Sequence, residues 1–157
     1  MTLPPSYNQG RRDELTIKER LALLKWDIKT SSYHQDRNLD IDCFVGKEAV
    51  SIKSQKAAGG MVTFELEVQD RYQGWCDGWF RTGKATSYVI EVKSRNALFY
   101  INKQSLLDWI DDNGWDEQRR NHPSVEAAQG SHRHTAGFIG LMNIDKLVAA
   151  KVAKKIS

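Results

Sequence analysis

Asp40-Ile41-Asp42-Cys43-Phe44-Val45-Gly46-Lys47-Glu48-Ala49-Val50-Ser51-Ile52-Lys53-Ser54-Gln55 is the stretch on which the fold turns. Leu39, Ile41, Cys43 and Val45 alternate with Asp40, Asp42 and Phe44, Gly46-Lys47 supplies a turn, and a second strand follows from Ala49 to Gln55. Two period-two runs joined by a glycine turn read as paired strands. Asp40 and Asp42 are expected on one face of the first. Ser51, Lys53 and Gln55 share a face of the second, with Val50 and Ile52 opposite. A third run sets Val62, Phe64, Leu66 and Val68 against Thr63, Glu65, Glu67 and Gln69. If the three strands are neighbours, one sheet face gathers carboxylates around a lysine and the other is continuous hydrocarbon.

Upstream, Thr16-x-x-Glu19 has the form of a capping box, and Ile17, Leu21, Leu24 and Ile28 recur at helical spacing. Leu15, Ala22 and Trp26 fill a second face, so a helix is expected over 13–29, buried on more than one side and closed by Thr30-Ser31-Ser32. Residues 1–12, with Pro4-Pro5 and Gly10-Arg11-Arg12, read as a flexible tail. Downstream, 70–84 is a glycine-rich aromatic loop, and 87–93 and 97–101 are strands around a short turn. A short helix covers 103–111 and stops at Gly114. Residues 115–135 form an irregular polar excursion, 137–143 a last strand and 144–155 a final helix. Residues 13–157 are thus expected to form one α/β (α+β) domain whose mixed central sheet is flanked by helices.

With 157 residues, 40% hydrophobic, the chain is long enough for one real core, which excludes a disordered, collagenous or disulfide-scaffold class. Its two cysteines match no zinc spacing, and Cys43 alternates inward as an inert hydrophobe. No apolar run is long enough to span a membrane, and the opening residues carry no apolar leader core. A reducing cytoplasm is the expected compartment. The net charge of +3 permits nucleic-acid binding without arguing for it. No Ser-His-Asp or Cys-His order points to covalent catalysis.

Chemistry therefore has to come from the placement of polar residues. A carboxylate cluster repels itself unless a cation sits within it, and oxygen ligands suit Mg²⁺. A neighbouring lysine can orient an attacking water or offset phosphate charge. The alternative is an amphipathic sheet with a solvated polar face.

The hairpin, with acids on the preceding helix and strands and a helix after it, resembles the PD-(D/E)xK nuclease superfamily. Its core runs αβββαβ and carries an Asp, then (Asp/Glu)-x-Lys, on a β-hairpin. The resemblance covers about residues 13–110. It implies a metal-dependent DNA endonuclease, resolvase- or restriction-like, using Mg²⁺ or Mn²⁺. By position, Asp42 is the motif aspartate, Lys53 the motif lysine and Gln55 the polar residue after it. Glu14 or Glu19 is the helix acid. Ser51 stands where the second acid belongs, so Glu65 is the expected substitute, with Glu67 and Asp40 as further cation ligands. A competing match reads Glu91-Val92-Lys93-Ser94-Arg95 as a Glu-x-Lys-x-Arg strand, with Asp77 upstream and Tyr100 and Gln104 after it.

Trp75, Trp79, Arg81 and Lys84 are expected as nucleic-acid contacts, because bases stack on indole while cations meet phosphates. Alternatively, Trp75, Trp79 and Phe80 plug a sheet edge. Arg119, Arg120 and Arg133, with His122, His132 and His134, form a basic lip in the same reading. Lys146, Lys151, Lys154 and Lys155 are the solvated face of the last helix. The expected partner is duplex or branched DNA, cut by a homodimer because two strands need two sites. The small size and degenerate motif suit a phage or mobile-element protein. A catalytically inactive relative that binds nucleic acid or protein is the alternative Ser51 raises.

Overall fold

The computed structural model describes residues 5–122 and 133–157. Helix α1 (Pro5–Leu23) leads into strand β1 (Ile28–Thr30), helix α2 (Tyr33–Leu39) and the hairpin β2 (Cys43–Val45) and β3 (Glu48–Gln55). Then come β4 (Met61–Asp70), β5 (Gly74–Asp77), the single-turn α3 (Trp79–Thr82), β6 (Ser87–Val92) and β7 (Ala97–Asn102). Helix α4 (Lys103–Asn113), strands β8 (Glu117–His122) and β9 (His134–Asn143), helix α5 (Ile144–Ala149) and β10 (Ala153–Lys155) complete the chain.

Six strands form a mixed sheet in the order β1-β2-β3-β6-β7-β10, and four form a second, antiparallel sheet, β5-β4-β9-β8. In the first sheet β2 and β3 pair antiparallel, whereas β3 and β6 pair parallel with Ser51 opposite Tyr88 and Lys53 opposite Ile90. The alternation read from the hairpin explains the layering. Val50 and Ile52 turn to α1, where they bury Ile17, Leu21, Cys43 and Val89. Tyr88, Ile90 and Val92 turn the other way, onto Val62, Phe64 and Leu66 of the second sheet and Leu106 and Leu147 of α4 and α5. The fold is a single mixed α/β domain, its central sheet lying between α1 and a layer built from the second sheet and the later helices.

Several elements differ from the sequence expectation. The third alternating run is β4, but it belongs to the second sheet, so the polar face of β3 meets protein rather than solvent. The tail expected over 1–12 is helical from Pro5, since a proline is tolerated in a first helical turn. Thr16 is therefore interior, and its hydroxyl donates back to the Arg12 carbonyl at 2.9 Å instead of capping. Helix α1 is buried along one stripe only, and Leu15, Leu23 and Leu24 are exposed. The segment before Asp40 is a helix, because Ser32 and Gln35 form a reciprocal capping box. Glu117–His122 is a strand within the expected excursion, an exposed charged edge without alternation. The final helix stops at Ala149, Lys151 takes a left-handed φ of 61°, and Ala153–Lys155 pairs with β7. Among the described residues no helix is long and apolar enough to cross a membrane.

Candidate functional site

Asp42 stands just before β2, where the hairpin opens. Its amide donates to the Val50 carbonyl at 2.8 Å, and its Oδ2 accepts from the Ile52 amide at 2.6 Å. The carboxylate thus replaces a ladder partner and is fixed by β3. It is buried, and burial pushes its pKa up to about 7, against the pull of Lys53 and the Ile52 N–H. The Glu14 charge and a side-chain hydrogen bond with Asp36 raise it further. One carboxylate oxygen from each of Glu14 (α1), Asp36 (α2) and Asp42 lies within 4.8 Å of the other two. Among the described residues this is the group of three acids, cysteines or histidines that approach so closely. Lys18 meets Glu14 at 2.8 Å and Arg11 meets Asp36 at 3.8 Å at its rim.

Lys53 emerges from β3 on the face opposite Val50 and Ile52. Its Nζ donates to Asp40 Oδ1 at 2.8 Å and lies 4.5 Å from the centre of the Trp79 ring. Lys53 and Trp79 line two clefts. One, of about 450 Å³, is lined by Asp36, Asp40, Glu65, Asp70 and His134. The other, of about 410 Å³, runs under α1 past Asp13, Glu14, Gln55 and Lys93.

Glu65 is almost wholly buried on β4. An extra residue in β4 between Glu65 and Glu67 shifts the register against β9, and Glu65, Val68 and Asp70 then line the same cleft. The chain at Gly78 packs against it so closely that a Cβ would come within 2.5 Å of the Glu65 carbonyl oxygen. Asp70 accepts from the Tyr72 and Gln73 amides at 2.8 and 3.1 Å and from Arg133; these bonds, led by Tyr72, hold its pKa low. His134 Nε2 lies 3.7 Å from Asp70.

The expected site residues therefore separate. Asp42 joins Glu14 of α1, whereas Glu19 is exposed. Asp40 and Asp42 do not share a strand face: Asp40 ends α2 in a left-handed conformation (φ 54°) and serves Lys53. Glu67 faces Arg81 at 3.0 Å and Arg120 at 3.6 Å, outside the carboxylate group. Gln55 exchanges two hydrogen bonds with the Thr63 backbone, at 2.8 and 2.7 Å, and so ties β3 to β4. Ser51 is fully buried opposite Tyr88, and its hydroxyl has no hydrogen-bond partner among the described residues.

The competing motif is dispersed. Glu91 accepts from Ser54 at 2.6 Å and from Arg20 at 3.3 Å, while Lys93 meets Asp13 at 2.9 Å. Both brace α1, whereas Asp77 lies in the second sheet near Arg81 at 3.6 Å. Tyr100 donates to Glu48, and Gln104 donates to Asp108.

Of the aromatic loop, Trp79 and Phe80 pack with Phe64, Tyr88 and Trp115. Trp75 lies 5.2 Å from the Arg120 guanidinium, and Arg119 bonds Glu117 at 2.7 Å. Lys84 is exposed, and its amide donates to the Leu39 carbonyl at 2.7 Å. His132 lies outside the described residues. Burial pushes the Cys43 thiol up to about 11, as suits an inert core cysteine.

Asp36 is the member of the group that sequence reading missed. The signal was present as Ser32-x-x-Gln35, a capping box ahead of it. Comparison with family models, with curated proteins and with solved structures finds no match to this chain.

Proposed function

We propose that the protein is a metal-dependent DNA endonuclease with a PD-(D/E)xK-like site centred on Asp42 and Lys53. The observation that carries this reading is the approach of Glu14, Asp36 and Asp42 within 4.8 Å beside the strand that bears Lys53. The element order also favours it: α1, β1 and, after the inserted α2, the Asp/Lys hairpin precede a strand parallel to β3. A departure is that the crossover from β3 to β6 carries β4, β5 and the short α3 where the superfamily has a helix.

The donor set fits the implied cation. Three carboxylates this close, one of them buried, repel one another unless protonated or bridged, and all-oxygen donors suit Mg²⁺ or Mn²⁺. Such an ion, held by Glu14, Asp36 and Asp42, would lower the pKa of a water and polarise a phosphate oxygen. The chain's own contribution is positional. Lys53, which lines both clefts, presents an ammonium able to pair with a non-bridging phosphate oxygen and offset the charge that builds at phosphorus. Asp42 keeps its place through the Ile52 amide, so the hairpin fixes acid and lysine relative to each other. Glu65 and Asp70 also line the first cleft.

The second reading, an inactive relative that binds DNA or a protein, is favoured by the buried Ser51 at the position of the second acid. One experiment separates the two. Plasmid, linear duplex, single strand and four-way junction are incubated with Mg²⁺, Mn²⁺ or EDTA and with wild type, Asp42→Ala or Lys53→Ala. Metal-dependent cutting lost in both folded variants is the expected result. Salt-sensitive DNA binding without any cutting selects the inactive relative, and cutting retained by Lys53→Ala refutes the assigned site.

A further inference from the structure

We infer that Asp40 and Trp79 are positioning residues that clamp the ammonium of Lys53, a residue lining both clefts, so that Asp40 serves the lysine and not the cation. This rests on the nuclease reading of the site. A lysine on a free surface carries a flexible four-carbon stem and a mobile charge. Lys53 is held on two counts: its Nζ donates to Asp40 Oδ1 at 2.8 Å and rests 4.5 Å from the Trp79 ring centre, with only 20% of the side chain exposed.

Both partners are themselves fixed. Trp79 packs edge-on against Tyr88, with ring centres 5.8 Å apart, and tilts over Phe64 at 5.9 Å. Asp40 ends α2 in a left-handed conformation, its amide bonded to the Gln35 carbonyl. Its second oxygen, Oδ2, is buried without a hydrogen-bond partner among the described residues. Gly83 passes beside that oxygen, and a Cβ there would come 3.2 Å from it and 2.7 Å from the Trp79 carbonyl. The α3 turn, which carries Trp79, thus brings its own end at Gly83 against the Asp40 carboxylate. Asp40 stands outside the three carboxylates that approach within 4.8 Å. An ammonium ordered before substrate arrives stabilises charge at phosphorus without being organised during the reaction.

The test measures cleavage kinetics and melting temperature with and without Mg²⁺ for wild type, Asp40→Asn, Trp79→Phe and Trp79→Leu. Asparagine adopts the left-handed conformation readily, so Asp40→Asn keeps the end of α2. The expected result is a kcat about 10- to 100-fold lower for Asp40→Asn, on the scale of an outer-shell partner, with KM little changed. Its Mg²⁺-induced rise in melting temperature should equal that of wild type. Trp79→Phe, which keeps a ring face, should retain most of the rate that Trp79→Leu loses. Loss of the Mg²⁺-induced rise in Asp40→Asn would make Asp40 a cation ligand and overturn the inference, as would wild-type kinetics in that variant. Either outcome leaves a cutting wild type and the nuclease reading in place. A wild type that cuts nothing removes both.

Discussion

Replacing Asp42 with asparagine should make the metal-free protein more stable, and increasingly so as the pH rises. The new amide would keep an oxygen for the Ile52 N–H, which now donates to Asp42 at 2.6 Å, and would keep the side-chain volume. What the substitution removes is a charge. Burial, reinforced by Glu14 and Asp36, raises the Asp42 pKa from 3.8 to about 7. Between those values the native state holds a proton that the unfolded chain has released, so stability falls with rising pH across the window. The penalty is absent below about pH 4 and complete above about pH 7. A gap of about three pH units, at roughly 1.36 kcal/mol each, sets a ceiling on the order of 4 kcal/mol. Relaxation of the hairpin and water entry at the cleft make about 2–4 kcal/mol the expected gain at pH 8.

The assay is urea unfolding in EDTA at pH 4.5 and pH 8, wild type beside Asp42→Asn. For a domain of this length the gain corresponds to a midpoint shift of about 1–2 M at pH 8, and to roughly a quarter of that at pH 4.5. Adding Mg²⁺ at pH 8 should raise the wild-type midpoint and leave the variant unmoved, because only the wild type offers the third carboxylate. A variant no more stable than wild type at pH 8 would refute the argument that Asp42 is held charged at a cost. So would a shift that is the same at both pH values.

Two further outcomes follow from the contacts around β3. Ser51→Ala removes a buried hydroxyl that has no partner among the described residues, and should leave stability unchanged or raise it by up to about 1 kcal/mol, with cleavage retained. Thermal melts and the plasmid assay check this, and a loss of cutting would place Ser51 in the chemistry. Glu91→Ala should cost roughly 1–2 kcal/mol in a urea titration, because Ser54 and Arg20 lose their acceptor, while cleavage persists. Abolished cleavage in a folded Glu91→Ala protein would transfer the site to the competing motif.

The strands were legible because period two is written into them. Cys43, Val50 and Ile52 face α1 as the alternation requires, and β4 begins within a residue of its apolar run. What alternation does not carry is the partner of each strand. Val62, Phe64 and Leu66 would look the same beside β3 or in a separate sheet, and loop closure over 56–60 permits either. The length of β8 was illegible for the opposite reason: Glu117–His122 is an exposed edge with no apolar face to alternate. Helix α5 and β10 read as one helix because Val148 and Val152 sit at helical spacing, and only the left-handed Lys151 divides them. The bulge in β4 leaves no sequence mark, yet it sets Glu65 and Val68 along one cleft.

The second sheet also accounts for the serine at 51. On a bare polar face an acid at that position would look into water, as the hairpin pattern suggests. Here Ser51 lies opposite Tyr88, fully buried, on the face that Phe64 and Leu66 cover. A carboxylate buried there would lose its hydration, at a cost of several kcal/mol. Two residues further along, Lys53 has left that cover and reaches the clefts. On the nuclease reading proposed above, the second acid has to come from outside the sheet, and α2 carries Asp36 there. Asp36 rides on its first turn and Asp40 closes its end, four residues apart. One short helix, started by Ser32, so delivers a carboxylate to Asp42 and another to Lys53. The hairpin places Asp42 and Lys53, and α2 gives each of them a carboxylate neighbour.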